Sequence, residues 1–405
     1  MNRIRLHAVA LAATLSLTAG AVQAYQNTPG GSTFMLRAEA ILPEPGSPSA
    51  LIVAGDPNGV PPDSPTLRID PNVPTSPWSG VVSINIRYST GTVGSASSFI
   101  CSGAFVSPIH IVTAAHCIDT GAGNGTGTPI VIGDRLAGVA GVGDVRAVFN
   151  TPGTPGAAGT FTLGSAVSVA MHSNYKGFGV CPAAVTNPSE FCINDDIAVI
   201  TMAQAAPEWV KIYSASTVMP GMGTAITHVG FGTTGNGVTG HTANSSSFFI
   251  KRTGAGHADR PLDELDDEQN FSGVAEIWSS DFDGGGKDTH CSLFGVCSPS
   301  LANNVETTLG GGDSGGPSFA QDAQGNWLLV GNNTFGRRFS ATDVSGSFGT
   351  AYGGMILGAY QDFLETATNG QINFVTPSAI PEPGTYAMMA LGLLGLGAVA
   401  RRRKA

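Results

Sequence analysis

The chain has 405 residues, of which 12% are charged, against about 25% in an average soluble domain. Its formal net charge of -10 argues against nucleic acid as a partner, because binders of polyphosphate carry an excess of positive charge. Glycine is abundant, with 56 residues. This composition is typical of a β-rich extracellular domain with long turns.

Residues 1–24 have the organisation of a secretory signal peptide. Arg3 and Arg5 precede an apolar stretch over residues 8–19, and small residues precede the expected cleavage after Ala24. The apolar stretch is too short to span a bilayer, and its basic flank disfavours the alternative of a buried helix. We therefore predict export.

Residues 25–68 are dominated by Pro, Gly, Ser and Asp and show no sustained hydrophobic period, so we interpret them as a propeptide or linker. From Val81 onward, short alternating or β-branched runs separated by turn residues predict a barrel or sandwich. The predicted strands span residues 81–86, 98–106, 109–113, 166–171, 197–202, 224–231, 247–251, 327–330 and 350–356.

The predicted strands are followed by a helical pattern. Leu357, Tyr360, Phe363 and Leu364 are spaced for one face of a helix, which would close the domain. The polar residues that follow, 369–380, are interpreted as a linker.

The cysteines point to an oxidising compartment. There are 6 of them, in pairs that are close in sequence. The alternative of a metal site is disfavoured, because the sequence has no C-x-x-C pair. We predict three local disulfides, joining Cys101 to Cys117, Cys181 to Cys192, and Cys291 to Cys297.

The sequence Gly-Gly-Asp-Ser-Gly-Gly-Pro at 311–317 is the most informative stretch for function. Peptide hydrolysis by a hydroxyl needs a serine on a tight turn, with amide N–H groups directed at the oxygen that becomes negative. Glycines on both sides let the backbone approach a substrate closely. Ser314 is therefore the candidate nucleophile.

A serine nucleophile needs a base and a carboxylate that orients the base. The sequence Val-Thr-Ala-Ala-His-Cys at 112–117 places His116 at the end of an apolar strand. Asp196 directly precedes the apolar run 197–200, and for that reason we prefer it to Asp195 as the orienting residue.

These blocks resemble the chymotrypsin (trypsin-like) serine protease family, whose chain order of His, Asp and Ser they share. The resemblance covers residues 69–368. It implies an all-β fold of two six-stranded antiparallel β-barrels with a C-terminal helix, and the triad in the cleft between the barrels. It also implies an oxyanion hole formed by the N–H groups of Gly312 and Ser314, and a serine-type endopeptidase acting on peptides or proteins. The alternatives are an inactive protease-like binding protein and an esterase on the same fold.

Departures from the family pattern concern the specificity pocket. Gly310 stands where a cysteine is common, and Thr308 stands where trypsins carry an aspartate, so a basic substrate residue is not favoured. Thr350 replaces a common glycine and would narrow the pocket, whereas Gly336 leaves its entrance open. Thr334 begins the segment that should pair with the substrate. We expect cleavage after small or medium apolar residues.

Asp313, next to the nucleophile, needs a cation, because an unpaired buried carboxylate costs several kcal/mol. In the family this cation is the α-ammonium released by propeptide cleavage. Arg68 followed by Ile69 gives a basic residue before an apolar one ahead of the first strand. We take Ile69 as the candidate new N-terminus; the alternative is an ordinary linker arginine.

The segment 281–288 carries aspartates at alternate positions, as a calcium loop would, but lacks the terminal glutamate. We therefore expect a solvated acidic turn, and no cofactor, with calcium as the alternative. His172 and the acidic run 263–268 are interpreted as surface loop features.

The C-terminus carries a second targeting signal. A Pro-Glu-Pro triplet at 381–383 precedes a mostly apolar run, 384–400, that is long enough to cross a membrane, and a basic cluster at 401–404. This order resembles the PEP-CTERM sorting signal of Gram-negative bacteria, which an exosortase recognises and is thought to cleave near the triplet. The resemblance implies delivery to the cell envelope, the cell surface or the medium, with a temporary membrane helix; a permanent anchor is the alternative.

Overall fold

A computed structural model describes residues 52–377, except 72, 121–126, 151–160, 181–192, 194, 244 and 263–274. The predicted signal peptide, the acidic run 263–268, the Cys181–Cys192 pair and the sorting signal lie outside the described residues. Within the described ranges, no helix is long and apolar enough to cross a membrane, and the predicted span at 384–400 lies beyond them.

The first half of the described chain forms a closed β-barrel. Six antiparallel strands follow one another in the order β1-β2-β3-β7-β6-β5, and β1 also pairs with β5, which closes the ring. The short β4 adds to β5 in parallel. Apolar side chains such as Ile84, Phe105 and Ile200 fill the interior at 0% exposure. The strands are β1 Val81–Ser89, β2 Ala96–Phe105, β3 His110–Thr113, β4 Val131–Ile132, β5 Val142–Asn150, β6 Phe161–Met171 and β7 Ala198–Met202.

The second half contains two further sheets, with the strand orders β12-β9-β15-β16-β8-β19 and β13-β14-β18-β17, and a small β10-β11 hairpin. A mostly β fold with one barrel is thus confirmed, whereas the described pairings do not close a second ring. The strands are β8 Ala215–Ser216, β9 Thr224–Gly230, β10 Gly235–Asn236, β11 Gly240–His241, β12 Arg252–Ala258, β13 Arg260–Leu262, β14 Ile277–Asp281, β15 Pro317–Gln321, β16 Trp327–Asn332, β17 Phe335–Arg337, β18 Ala351–Met355 and β19 Phe374–Val375.

The helices are few and short. The closing helix is confirmed: Leu357 and Leu364 are fully buried and Tyr360 is 4% exposed. It is followed by β19, which pairs in parallel with β8, so part of the segment expected to be a linker belongs to a sheet. The α-helices are α1 Thr289–Phe294 and α2 Gln361–Ala367, and the 3-10 helices are Pro65–Arg68, Ala115–Cys117 and Leu357–Tyr360.

The described part of the expected propeptide or linker, residues 52–68, packs against the second half of the chain. Ile52, Val53 and Ala54 have no solvent exposure, and Val53 exchanges backbone hydrogen bonds with Thr308. Apolar burial and β-bridging hold this part in place, so it is not a solvent-exposed linker.

Two of the predicted disulfides are present. Cys101 in β2 is bonded to Cys117 in the 3-10 helix after β3, with the Cα atoms 6.2 Å apart. Cys291 in α1 is bonded to Cys297, with the Cα atoms 4.3 Å apart. The first bridge fastens the segment that carries His116 to the barrel wall.

Candidate active site

His116 and Asp196 are brought together by the pairing of β3 with β7. Thr113 lies opposite Ala198 in this ladder, so the residues that follow β3 meet the residues that precede β7. The Nδ1 atom of His116 lies 2.6 Å from Oδ2 of Asp196. The backbone N–H of His116 donates to Oδ1 of the same carboxylate at 2.8 Å. With Nδ1 occupied, Nε2 is the ring nitrogen left for proton transfer.

Asp195 has a different partner. Its φ of 51° turns the chain sharply, and its Oδ1 lies 2.8 Å from Nδ1 of His172. The His172 ring also packs edge-on against Tyr360 and Phe363, and its side chain is only 20% exposed. His172 thus lies in the loop after β6, as expected, but it is mostly buried and packs the start of β7 against the closing helix.

Ser314 lies in a tight turn that precedes β15. Gly315 has a φ of 73°, and a Cβ atom there would lie 2.0 Å from Oγ1 of Thr113. Only glycine therefore lets this turn lie against the strand that leads to His116. The N–H of Gly315 donates to the carbonyl of Asn333 at 2.7 Å, which ties the turn to the end of β16.

Ser102 in β2 anchors the turn that carries Ser314 from the barrel side. Its backbone N–H donates to the carbonyl oxygen of Ser314 at 2.8 Å. Its hydroxyl donates to the carbonyl of Gly312 at 2.9 Å and accepts from the N–H of Phe231 at 3.0 Å. Beyond the adjacent Cys101, no sequence pattern predicts this role, because the partners lie 129 or more residues away along the chain.

The turn leaves amide groups available for an oxyanion. Gly312 has a φ of 97°, and its N–H and that of Ser314 donate no hydrogen bond to any described residue. Nor does a hydrogen bond join the side chains of His116 and Ser314 in the described part of the chain. Where such a pair is catalytic, its hydrogen bond is often long without substrate and tightens when substrate binds.

Two further residues contact the histidine and the aspartate. Phe178 packs its ring against that of His116, with the centroids 4.6 Å apart. Asn332 in β16 donates from Nδ2 to the carbonyl of Asp196 at 3.1 Å, which ties the second half of the chain to the barrel. Phe178 is flanked by Gly177 and Gly179, both at positive φ, and this pattern was the available sequence signal.

Three of the predicted pocket residues lie in, or directly before, the paired strands β17 and β18. Gly336 in β17 is exposed and pairs with Tyr352 in β18, while the N–H of Thr334 donates to the carbonyl of Gly353 at 2.8 Å. Thr350 directly precedes β18 and is buried, with its hydroxyl donating to the carbonyl of Ser347 at 2.8 Å.

The fourth predicted pocket residue, Thr308, is also buried. It pairs with Val53 of the N-terminal segment rather than with the other three. In the described part of the chain, no hydrogen bond joins it to Thr334, Gly336 or Thr350.

Asp313, next to Ser314, is fully buried. Burial raises the pKa of its carboxyl to about 7, against the opposing effect of the N–H groups of Gly310 and Gly232 and the charge of Arg252. Its Oδ2 accepts from Gly310 at 2.9 Å and its Oδ1 accepts from Gly232 at 2.7 Å. In the uncut chain, therefore, Asp313 already has protein partners.

Arg68 and Ile69 are part of the folded structure. The guanidinium of Arg68 is buried, pairs with Asp63 and donates to the carbonyl of Val305 at 3.3 Å. Ile69 forms a β-bridge with Arg252. The proposed cleavage site is thus closed to an activating protease unless this segment opens, and activation at Ile69 stays a prediction.

The acidic segment 281–288 is not the solvated turn we expected. Asp281 and Asp283 are 4% and 6% exposed. The N–H of Phe282 donates to the carbonyl of Thr350 at 2.8 Å, and Gly284 lies against the ring of Phe348, so the turn is packed beneath the chain that leads into β18.

Comparison with known proteins identifies the C-terminus. Residues 379–404 match the PEP-CTERM protein-sorting motif. No curated protein matches the chain. The motif confirms the predicted sorting signal. It indicates export to the cell envelope or surface in Gram-negative bacteria, and it implies recognition by an exosortase-type sorting enzyme.

Proposed function

We propose that this protein is an exported serine endopeptidase of the chymotrypsin-like type, in which the sheets of the second half form the second barrel. The observation that carries the proposal is the 2.6 Å contact between Nδ1 of His116 and Oδ2 of Asp196, beside a glycine-rich turn that carries Ser314. A carboxylate in this position fixes the imidazole tautomer that can accept a proton at Nε2.

In the proposed reaction, Nε2 of His116 takes the proton of Ser314 as its Oγ attacks the carbonyl carbon of the scissile peptide. The electron pair of the C=O bond moves to oxygen, where the N–H groups of Gly312 and Ser314 donate to it. The C–N bond then breaks, and His116 gives its proton to the leaving amine. Water, deprotonated by the same histidine, hydrolyses the acyl-enzyme, and Asp196 stays ionised throughout.

The substrate is a peptide or protein in an extended conformation, held beside the segment that runs from Thr334 to Gly336. Because Thr350 is buried where a glycine would leave room, we propose cleavage after small or medium apolar residues. We also propose that the apolar run 384–400 holds the precursor in the membrane until the sorting enzyme acts.

Fluorophosphonate labelling followed by a peptide-library digest tests the proposal. Wild-type protein should be labelled on the peptide that contains Ser314 and should cleave peptides, whereas Ser314→Ala should do neither. Because this change removes one oxygen, both proteins should give the same thermal unfolding curve. Labelling with hydrolysis of esters alone would indicate the esterase. Folded wild-type protein that is not labelled would indicate an inactive binding protein and would overturn the proposal.

A further inference from the structure

A compact turn joins β14 to α1 and gathers acidic side chains. Asp281 ends the strand, and Asp288 caps the helix by accepting from the N–H of Cys291 at 2.8 Å. Between them, Gly284 and Lys287 exchange backbone hydrogen bonds of 3.2 and 3.0 Å. The reversal brings one carboxylate oxygen each from Asp281, Asp283 and Asp288 within 4.8 Å of one another.

Asp283 at the centre of this turn has an unsatisfied carboxylate oxygen. Its side chain is buried, and Oδ1 is closed off from solvent and accepts no hydrogen bond among the described residues. Its backbone N–H donates to Oε1 of Glu306 at 3.3 Å, which brings another carboxylate close by. A buried carboxylate oxygen without a donor is costly, because it has lost the hydrogen bonds that water would make.

The positive charges nearby do not compensate. The ammonium group of Lys287 donates a hydrogen bond to the carbonyl of Phe348 at 2.9 Å. Nδ1 of His290 lies 3.3 Å from Asp259 and 3.4 Å from Asp281, so one imidazole is shared by two carboxylates. None of the three turn aspartates forms an ion pair with a lysine or arginine in the described part of the chain.

We propose that Asp281, Asp283 and Asp288 bind a calcium ion. Calcium takes oxygen ligands at about 2.3–2.6 Å, so any two of its ligands lie at most about 5 Å apart, and these three oxygens, all within 4.8 Å of one another, meet that limit. Oδ2 of Asp281 accepts from the N–H groups of Thr289 and His290, so the oxygen offered to the ion is Oδ1, which also lies 3.4 Å from Nδ1 of His290. Water and backbone carbonyls complete the shell.

The ion would fasten the turn to the chain that precedes β18. Thr289, next to Asp288, donates its hydroxyl to the carbonyl of Gly349 at 2.9 Å, and Phe282 donates to Thr350 at 2.8 Å. Calcium would therefore stabilise the chain around Thr350, a residue of the predicted specificity pocket. The site itself is independent of the proposed catalysis, and it is tested by binding rather than by activity.

Thermal unfolding of the full chain, first stripped with EGTA, provides the test. Millimolar CaCl₂ should raise the melting midpoint by roughly 3 °C when calcium is about ten times its dissociation constant, and equal MgCl₂ should have a smaller effect. Asp283→Asn should abolish the calcium shift. Asp322→Asn is the matched control: Asp322 lies in an exposed acidic turn, where it accepts from the N–H groups of Gln324 and Asn326, so this variant should respond as wild type does.

Asp288→Asn is a second variant that guards against misfolding, because asparagine is also a favourable N-cap and only the charge is lost. It should weaken calcium binding about 10-fold or more, measured by competition against terbium luminescence excited through Trp278 in β14. The proposal is overturned if calcium has no effect on wild-type protein. It is also overturned if both variants keep the calcium shift. A response to zinc alone would overturn it too, and would point to His290 with Asp259 and Asp281 as the metal ligands.

Discussion

Both carboxylate oxygens of Asp196 are bound by the same residue, His116: the backbone N–H donates to Oδ1 at 2.8 Å and Nδ1 contacts Oδ2 at 2.6 Å. Asp196→Asn replaces one oxygen by an amide that cannot accept from an Nδ1–H. We expect kcat to fall by about 10⁴, because the imidazole is held in the wrong tautomer. Steady-state kinetics on a cleaved peptide measures the loss.

Asp195→Asn is the matched control for this change. Asp195 faces His172 instead of His116, and its backbone is at positive φ, which asparagine tolerates well. We expect turnover to stay within a few-fold of wild type. If Asp195→Asn instead proves the crippling variant, the assignment of the third triad member is wrong.

Ser102→Ala tests whether the hydroxyl that binds the carbonyl of Gly312 positions the oxyanion hole. The change frees the carbonyl of Gly312, the residue whose own N–H is to face the developing negative charge, and it leaves the N–H of Phe231 without its acceptor. We expect kcat to fall about 10- to 100-fold with KM little changed, because the loss is felt mainly in the transition state.

Ser83→Ala separates positioning from general destabilisation. Ser83 in β1 is also a fully buried serine of the barrel. It donates to the carbonyl of Phe248 at 2.8 Å, and this partner lies outside the turn that carries Ser314. The two variants should lose similar stability in thermal unfolding. Equal losses of kcat in both would show that Ser102 has only a structural role.

The positions of the histidine and the aspartate could be anticipated from sequence because each lies at the end of an apolar run. Strands β3 and β7 pair directly, and their register alone places His116 beside Asp196. The closing helix was also predictable, because its apolar spacing is local. The predicted strand at 247–251 was misplaced, since the strand begins at Arg252, and β5, β14 and β15 were not predicted.

The remaining features depend on contacts between distant parts of the chain. Asn332 and Ser102 touch the site through hydrogen bonds that no local period reveals. Whether an acidic turn is solvated depends on what packs over it, and here the ring of Phe348, much later in the chain, packs against Gly284, next to Asp283. Residues 52–68 were interpreted as a propeptide or linker from their composition, and composition cannot reveal that Val53 pairs with Thr308.

The uncut chain allows a sharp test of activation. The sequence alone predicts activation by release of Ile69, but Asp313 already accepts from Gly232 and Gly310 and lies near Arg252, so we instead expect protein that retains residues 52–68 to react with a fluorophosphonate. N-terminal sequencing of the labelled protein measures this. Labelling confined to chains that begin at Ile69 would instead support release of a new α-ammonium at the Arg68–Ile69 bond.

Arg252→Met should lower the labelling rate of the uncut protein, because it removes the positive charge that favours the ionised Asp313. Arg87→Met is a control of the same type on the barrel, where the guanidinium pairs with Asp144. Equal labelling of both variants would show that Asp313 does not depend on Arg252.

The sorting motif over residues 379–404 predicts the mass of the mature protein. We expect protein recovered from the envelope of a host with an exosortase to lack the basic cluster 401–404, because the resemblance implies that the sorting enzyme cleaves near the Pro-Glu-Pro triplet. Intact-mass measurement checks this, and the same protein made in a host without the sorting enzyme is the control. Recovery of the exported form with Arg401 still attached would contradict the prediction.

His228 should make the protein sensitive to acid. Burial lowers the pKa of its imidazole from 6.5 to about 3, and Nδ1 and Nε2 lie 2.9 and 3.2 Å from the hydroxyls of Ser318 and Tyr352. Between pH 6.5 and 3 the unfolded chain binds the proton and the folded chain does not, so stability falls as the pH falls, by up to about 4 kcal/mol. In His228→Gln, the free energy of unfolding, measured with denaturant, should fall less steeply with pH across this range, by a slope that corresponds to about one proton. Above pH 7 the free energies of wild type and variant should change with pH in parallel. Parallel curves over the whole range would show that His228 is not the residue responsible.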